Sequence, residues 1–125
     1  MSQSNVVRLD YRSNAPAAWQ TLCSRADLVA NSGVVAWHDG AQVALFHLPD
    51  NADGEQLFAI ENRDPKSGAN VIGRGIVGQL GPDLVIASPL YKQHFRLADG
   101  GCLEYPEQAL PTWAVRLNGE QVEIA

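Results

Sequence analysis

Residues 83–100 decide the fold of this chain, and they read DLVIASPLYKQHFRLADG. The apolar run at 84–87 is too short for a helix that buries itself, and it is typical of a buried strand. Pro89 ends that strand because proline lacks the N–H that a sheet needs and moves the preceding residue out of helical space. Residues 95–97 alternate again and lead into a glycine-rich turn. Two short strands are therefore joined by a tight loop over 89–94.

A second loop of the same build lies upstream. Residues 58–60 are strand-like, and residues 62–70, NRDPKSGAN, interrupt the strand with turn formers. A strand, a proline-bearing loop and another strand, occurring twice, resemble the layout of a Rieske domain. In that family two loops hold a two-iron, two-sulfur cluster, and each loop contributes one Cys and one His. The resemblance implies an antiparallel β-sandwich in which the two loops meet.

The chain keeps the skeleton of the two Rieske loops without their ligands. On the Cys-x-His pattern of the first loop, Asp64 stands at the Cys and Lys66 at the His. On the Cys-x-x-His pattern of the second loop, Ser88 stands at the Cys and Tyr91 at the His. Hard oxygen groups, a protonated phenol and a cation do not replace two thiolates and two imidazoles. We therefore predict a Rieske-like fold that holds no cluster and no metal. The alternative is an ordinary β domain with two unrelated proline loops.

Longer blocks of sequence narrow the resemblance. They are WQTLC followed by ADL, then NRDPKSGANV, RGIVG, ASPLYKQHFRL and GCLE, and the resemblance as a whole covers roughly residues 19–124. These blocks resemble the small subunit of the bacterial assimilatory NAD(P)H-dependent nitrite reductase, a family with a Rieske-like fold that lacks the cluster ligands. The resemblance implies a cofactor-free accessory subunit. Its partner would be a large subunit with FAD, sirohaem and an iron–sulfur cluster that reduces nitrite to ammonium.

Composition limits the other classes of function. With 125 residues, 46% of them hydrophobic, we expect one domain over 18–125 behind a flexible tail at 1–17. The net charge of −5 argues against nucleic acid and anionic membranes as partners. No apolar run approaches the ~20 residues of a membrane span, and no secretory signal is visible. We expect a cytoplasmic protein, monomeric when isolated, in which Cys23 and Cys102 are reduced thiols.

The rest of the chain predicts an all-β domain of about ten short strands with one or two short helices. A capping box at Ser24–Asp27 predicts a short helix that reaches Ala30. Asp39-Gly40 and Asn118-Gly119 each predict a hairpin with a type I′ turn. Alternating apolar residues give the predicted core: Trp19, Leu22, Val35, Val43, Leu45, Phe58, Ile60, Val85, Phe95, Leu97, Trp113, Val115, Leu117 and Val122.

The two loops concentrate positive charge in an acidic protein. Five of the nine Lys and Arg residues fall in or near them: Arg63, Lys66, Arg74, Lys92 and Arg96. We predict a docking surface for an acidic partner, with Leu90 and Tyr91 as apolar anchors and His94 beside them. The alternative is local compensation, in which Asp64 pairs with Lys66 or Arg63 and Tyr91 fills the space of a cluster.

No catalytic site is expected in this chain. Its three histidines, His38, His47 and His94, belong to no metal motif, and no nucleophile–base pair or carboxylate pair stands out. Ser88, before a proline at a strand end, is typical of a residue that caps the backbone. Two other functions stay open from the residues alone. One is a Rieske-type ferredoxin that carries electrons, which Cys23 and Cys102 disfavour because they lie outside both loops. The other is a module that binds a small anion.

Overall fold

Within residues 18–125, which the computed structural model describes, the chain forms ten short strands and three 3₁₀ turns. The strands are β1 (Gln20–Ser24), β2 (Gly33–His38), β3 (Ala41–Leu48), β4 (Gln56–Glu61), β5 (Ile76–Leu80), β6 (Asp83–Ala87), β7 (His94–Arg96), β8 (Thr112–Trp113), β9 (Val115–Asn118) and β10 (Gln121–Ile124). The 3₁₀ turns are Arg25–Asp27, Ile72–Arg74 and Pro106–Gln108. The prediction of an all-β domain with about ten short strands is confirmed. The tail predicted at 1–17 lies outside the described residues.

The strands form three antiparallel sheets. The first sheet has the order β1-β10-β9, the middle sheet β2-β3-β4-β8 and the third sheet β5-β6-β7. Two separate apolar clusters show that the middle sheet lies between the other two. One cluster joins Val43 and Leu45 of β3 to Val122 of the first sheet, and the other joins Phe46 of β3 to Ile86 of the third sheet.

Strand β3 is the centre of the fold because it is buried on both faces. Every residue from Val43 to Leu48 is buried. The alternation of apolar residues predicts only one buried face, that of Val43 and Leu45. Ala44, Phe46 and Leu48 are buried as well, because the third sheet covers the opposite face of this strand. His47 is the polar member of the run, and its Nε2 lies 2.6 Å from a carboxylate oxygen of Glu55.

Most of the predicted core is buried or packs against the two clusters, but two residues of it are exposed. Trp19 is 38% exposed, and Val35 is 49% exposed. Trp19 lies just before an edge strand, where the guanidinium of Arg116 covers one side of its ring at 4.2 Å from the centroid. Val35 lies on β2, the edge strand of the middle sheet, and the apolar cluster formed with the third sheet includes no residue of β2. Ile72 is a buried core residue that the alternation pattern missed.

One hairpin turn matches its prediction and the other is shifted by one residue. Asp39 and Gly40 have φ values of 49° and 81°, which is the type I′ pattern that Asp-Gly predicts. In the last hairpin, however, Asn118 pairs with Gln121, so the central residues are Gly119 and Glu120. Only Gly119 has a positive φ, at 62°. The predicted Asn-Gly type I′ turn is therefore wrong, and the glycine occupies the first central position, as in a type II′ turn.

The predicted capping box is present, but the helix that follows is shorter than expected. The Ser24 hydroxyl accepts a hydrogen bond from the Ala26 N–H at 3.2 Å, and the Asp27 carboxylate accepts one from the Ser24 N–H at 2.9 Å. The 3₁₀ turn ends at Asp27 because Leu28 is extended and packs against the core between the first and middle sheets. The chain therefore leaves the helix before Ala30.

Gly100 provides a test of how tightly the last loops pack. Its φ is 78°, and a Cβ at this position would collide with the carbonyl oxygen of Leu110. We expect Gly100→Ala to lower the free energy of unfolding by at least about 3 kcal/mol. Gly119→Ala is the matched control, since its φ is also positive but no atom lies within 4 Å of the added methyl. That variant should cost about 1–2 kcal/mol. Urea unfolding of both variants would contradict this reasoning if the two losses were equal.

Candidate functional site

The two loops predicted from the sequence meet in the structure. The first loop spans residues 62–70, after β4, and the second loop spans residues 88–93, between β6 and β7. The Ser88 hydroxyl donates a hydrogen bond to Asp64 Oδ2 at 2.5 Å, across 24 positions of sequence. Gln93 Nε2 donates to Asp64 Oδ1 at 3.2 Å. The loops are therefore joined through one buried carboxylate.

The first loop folds around the Asp64 side chain. Its Oδ1 accepts the backbone N–H of Lys66 at 2.8 Å and of Ser67 at 3.1 Å, as in an Asx turn. The Gly68 N–H donates to the Asp64 carbonyl oxygen, and the Asp64 N–H donates to that of Ala69, both at 2.8 Å. The φ of Gly68 is 77°, a conformation that favours glycine. An aspartate followed by a glycine four positions later therefore closes this loop.

The second loop turns its Gln inward and its apolar residues outward. The Ser88 N–H donates to the Gln93 carbonyl oxygen at 2.9 Å, and the Lys92 N–H donates to that of Ser88 at 3.0 Å. Lys92 takes the left-handed conformation, with φ at 62°, which lets the chain reverse before β7. As a result Gln93 is buried, while Leu90 and Tyr91 are about half exposed.

Asp64 is fully buried and ionised. Burial alone would raise the pKa of its carboxyl group. The hydrogen bonds from the Ser88 hydroxyl, the two backbone N–H groups and the Gln93 amide outweigh that effect and hold the pKa below its ordinary value. A buried carboxylate is tolerated where its oxygens are hydrogen-bonded in this way. The buried space between the loops is thus occupied by a satisfied anion and two neutral polar side chains.

The four positions set against the Rieske ligands contact one another in pairs. Asp64 and Ser88, set against the two Cys ligands, share the hydrogen bond that joins the loops. Lys66 and Tyr91, set against the two His ligands, form a cation–π contact, with Lys66 Nζ 4.4 Å from the ring centroid. Tyr91 is 51% exposed, so the alternative in which it fills the space of a cluster is wrong.

Sequence reasoning missed Gln93, which completes the buried group. Its amide nitrogen also donates to Gln108 Oε1 at 3.0 Å, which ties the second loop to the turn at Pro106–Gln108. The signal was present in the alternation of this stretch, because Gln93, Phe95 and Leu97 all point inward. A polar residue in phase with a buried strand was the clue.

The cations of the described chain divide into two groups. Three of them pair with carboxylates: Arg25 with Glu55, Arg96 with Asp99 and Arg116 with Glu123. The other four have no carboxylate of residues 18–125 within 4.0 Å, and they are Arg63, Lys66, Arg74 and Lys92. All four lie in the two loops or in the 3₁₀ turn that follows the first loop. The expected pairing of Asp64 with Lys66 or Arg63 side chains is absent from this part of the chain.

Two residues predicted for the docking surface make other contacts. Arg96 Nε lies 3.1 Å from Asp99, and its side chain lines a shallow depression with Asn51 and Pro82 at the opposite end of β6. His94 Nδ1 lies 2.6 Å from a carboxylate oxygen of Glu104, whose other oxygen accepts the His94 N–H at 2.8 Å. Arg96 therefore lies away from the loops, and His94 stays beside them in a pair with an acid.

The residues present do not fit a two-iron, two-sulfur cluster. The loops offer no thiol and no imidazole at their meeting point, where Asp64 already accepts its full set of hydrogen bonds. Cys23 and Cys102 are free thiols that pack in different cores, on opposite sides of the middle sheet. Among residues 18–125, no group of three or more His, Cys, Asp or Glu side chains is arranged to hold a metal ion. This donor set disfavours an electron-carrying ferredoxin.

The fold and its two converging loops are those of a Rieske-like domain, and comparison with known proteins agrees. Residues 18–125 match the family described as the Rieske-like [2Fe-2S] domain. The chain is 39% identical to the nitrite reductase (NADH) small subunit of Salmonella typhimurium, over 85% of this chain and 95% of that protein. The solution structure of the nitrite reductase [NAD(P)H] small subunit from Erwinia carotovora superposes with a TM-score of 0.69. Its sequence is 40% identical over 85% of this chain and 79% of that one.

A third relative is much longer. The chain is 36% identical to part of the nitrite reductase [NAD(P)H] large subunit of Klebsiella oxytoca, over 85% of this chain but only 11% of that protein's length. The chain belongs to the Rieske-like domain family and, within it, to the family of nitrite reductase small subunits. Within residues 18–125 the structure contains no helix long and apolar enough to cross a membrane.

Asp64→Asn tests whether the buried charge holds the loops together. The amide keeps the shape but loses the charge and one acceptor, so we expect the free energy of unfolding to fall by about 1.5–3 kcal/mol at pH 7. Because the folded pKa of Asp64 is lowered, its contribution is complete above the unfolded pKa of about 4. The contribution is lost as the pH falls through the folded value.

The difference in unfolding free energy between wild type and Asp64→Asn should therefore shrink in acid, as measured by urea unfolding from pH 7 to pH 2. Asp99→Asn is the control, because this carboxylate also has a lowered pKa but its side chain is 62% exposed. It should cost less than about 1 kcal/mol. A penalty for Asp64→Asn that stays constant with pH would show that charge is not the cause.

Proposed function

We propose that this chain is the accessory small subunit of an NAD(P)H-dependent nitrite reductase, the enzyme that reduces nitrite to ammonium for nitrate assimilation. In this proposal the chain has no catalytic site and no cofactor of its own. It docks on a large subunit that carries FAD, sirohaem and an iron–sulfur cluster, and the docking stabilises or gates that subunit. We also propose that the chain is cytoplasmic and monomeric when isolated.

One observation carries the proposal, and it is the contrast between the inside and the outside of the two loops. Inside, the Ser88 hydroxyl and the Gln93 amide donate hydrogen bonds to Asp64, and Asp64 and Ser88 stand at two of the positions set against the metal ligands. Outside, four cations have no acidic partner within the described chain, although the protein as a whole is acidic with a net charge of −5. A cationic patch on an acidic protein favours contact with an acidic surface. Recognition therefore suits these loops better than electron transfer.

The relative from Klebsiella oxytoca supports a large subunit as the partner. In that protein, a segment similar to this chain is part of a polypeptide named the large subunit. In Salmonella typhimurium the similar protein is named a small subunit and has nearly the same length as the match. The same domain thus occurs both joined to a large subunit and separate from one. A separate domain needs a surface that replaces the covalent connection, and the loops provide a candidate.

The absence of a cluster is tested by metal analysis of the purified chain. Because the loops lack both thiols and imidazoles, we expect a colourless protein with well below about 0.1 iron per chain after anaerobic purification. Reconstitution with ferrous iron and sulfide should leave the visible spectrum unchanged. A Rieske ferredoxin treated in the same way is the positive control. Two irons per chain with a visible charge-transfer spectrum would support the ferredoxin alternative.

The docking surface is tested with the large subunit from the same organism. Removal of two loop charges, in Lys66→Gln with Lys92→Gln, should weaken binding about tenfold or more, because each lost charge pair removes steering and contact energy. The control is Gln20→Glu with Gln79→Glu, two exposed positions on β1 and β5 that give the same change in net charge. That variant should bind within about twofold of wild type.

Calorimetry gives the affinities, and the rate of NAD(P)H-dependent nitrite reduction with and without the chain shows whether docking alters turnover. Equal weakening by both double variants would assign the effect to net charge rather than to the loops. Full-strength binding by the Lys66→Gln, Lys92→Gln variant would remove the loops from the interface.

A further inference from the structure

Two apolar side chains on the edge strand β2 are exposed. Val35 is 49% exposed and Trp37 is 67% exposed. They lie on one face of the strand, while Val34 and Ala36 point the other way and pack against the first sheet. Large exposed apolar residues close together are uncommon on a protein that functions alone, and they are typical of an interface.

This exposed face of β2 continues into the first loop. Gly73, in the 3₁₀ turn after that loop, lies against Val35, whose Cγ2 would be 2.9 Å from a Cβ at the glycine. Trp37 lines a shallow depression together with Arg63 and Asn70 of the first loop. The indole therefore lies beside one of the four cations that have no acidic partner in the described chain.

The edge strand of the third sheet, β5, begins beside the second loop. Ile76 begins β5, is 75% exposed and pairs with Ala87, the residue directly before Ser88. Leu80 ends β5 on the same face of the strand, but it pairs with Asp83 at the other end of the sheet. Ile76 thus lies next to the second loop, and Leu80 lies away from it.

We infer that the docking surface is larger than the loops and runs from Trp37 and Val35 across the loops to Ile76. Its apolar residues are Val35, Trp37, Ile76, Leu90 and Tyr91, and its cations are Arg63, Lys66, Arg74 and Lys92. The occupant is the large subunit, through an apolar patch bordered by carboxylates. This inference rests on the proposed function, because that function supplies the partner.

The charges argue for this occupant rather than for a second copy of the chain. Two copies joined through this surface would bring the cations of one against those of the other, which is repulsive. A partner with carboxylates around an apolar centre complements the four cations and the exposed apolar side chains of this surface. Trp and Arg are also the side chains that most often dominate interface energies.

Two substitutions test the inference, each with a matched control. Trp37→Ser and Ile76→Asp should each weaken binding of the purified large subunit about tenfold or more. The controls are Trp19→Ser, an exposed tryptophan beside the first sheet, and Leu80→Asp, on the same face of β5. Both controls should bind within about twofold of wild type. Circular dichroism and thermal unfolding check that each variant folds, and Ile76→Ser replaces Ile76→Asp if the charged variant does not.

The outcomes separate this inference from the proposed function. If Trp37→Ser and Ile76→Asp bind as wild type while Lys66→Gln with Lys92→Gln binds weakly, the extended surface is wrong and the proposed function stands. If wild type itself does not bind the large subunit, both fail. If sedimentation shows a wild-type dimer that Trp37→Ser dissociates, the surface belongs to a second copy of the chain and the inference is overturned.

Discussion

The arrangement of the two loops depends on one buried carboxylate. Asp64 arranges its own loop through two backbone N–H groups, and it holds the second loop through the Ser88 hydroxyl and the Gln93 amide. In a Rieske domain a metal cluster performs this cross-linking. Here a carboxylate that accepts hydrogen bonds from neutral donors joins the two loops instead. Burying this carboxylate costs desolvation free energy, and the hydrogen bonds from all of its donors offset that cost.

The same arrangement explains why the loop surface is electrostatically unusual. Because hydroxyl, amide and backbone donors supply the hydrogen bonds of the Asp64 carboxylate, no cation is needed beside it in the interior. The neighbouring cations remain at the surface. Three other cations in the described chain have found carboxylate partners, so the unpaired state of these four is specific to one region. These four cations and the exposed side chains on β2 and β5 make up the surface inferred above.

Local sequence signals predicted the strands, turns and loops of this fold, but they did not predict how the sheets stack on one another. The Asp39-Gly40 turn, the capping box and the two proline loops depend on neighbouring residues, and each was readable. The burial of both faces of β3 depends on a third sheet formed by distant residues, so alternation alone suggested one face. Val35 was placed in the core for the same reason, because an edge strand and a central strand have the same pattern. The Asn118 turn moved by one residue because pairing with the neighbouring strand, and not the Asn-Gly dipeptide, sets the register.

The site was predictable as far as the family pattern reached. The pattern identified Asp64, Lys66, Ser88 and Tyr91 as positions without ligand chemistry, but it contained nothing about how they would contact each other. Gln93 was invisible to it because Rieske loops are described by their ligands. Arg96 was grouped with the loops because it is close to them in sequence. Residues along one strand nevertheless lie at different ends of the sheet and point to different faces.

The left-handed Lys92 and the hydrogen bonds around Asp64 mean that the second loop has few alternative shapes. A partner that binds it would meet a surface already in its final form, so little conformational entropy is lost on association. Affinity then depends on the interior of the loops as much as on the side chains that touch the partner. In evolutionary terms, a change hidden beneath the surface would loosen the complex as effectively as a change at the contact itself.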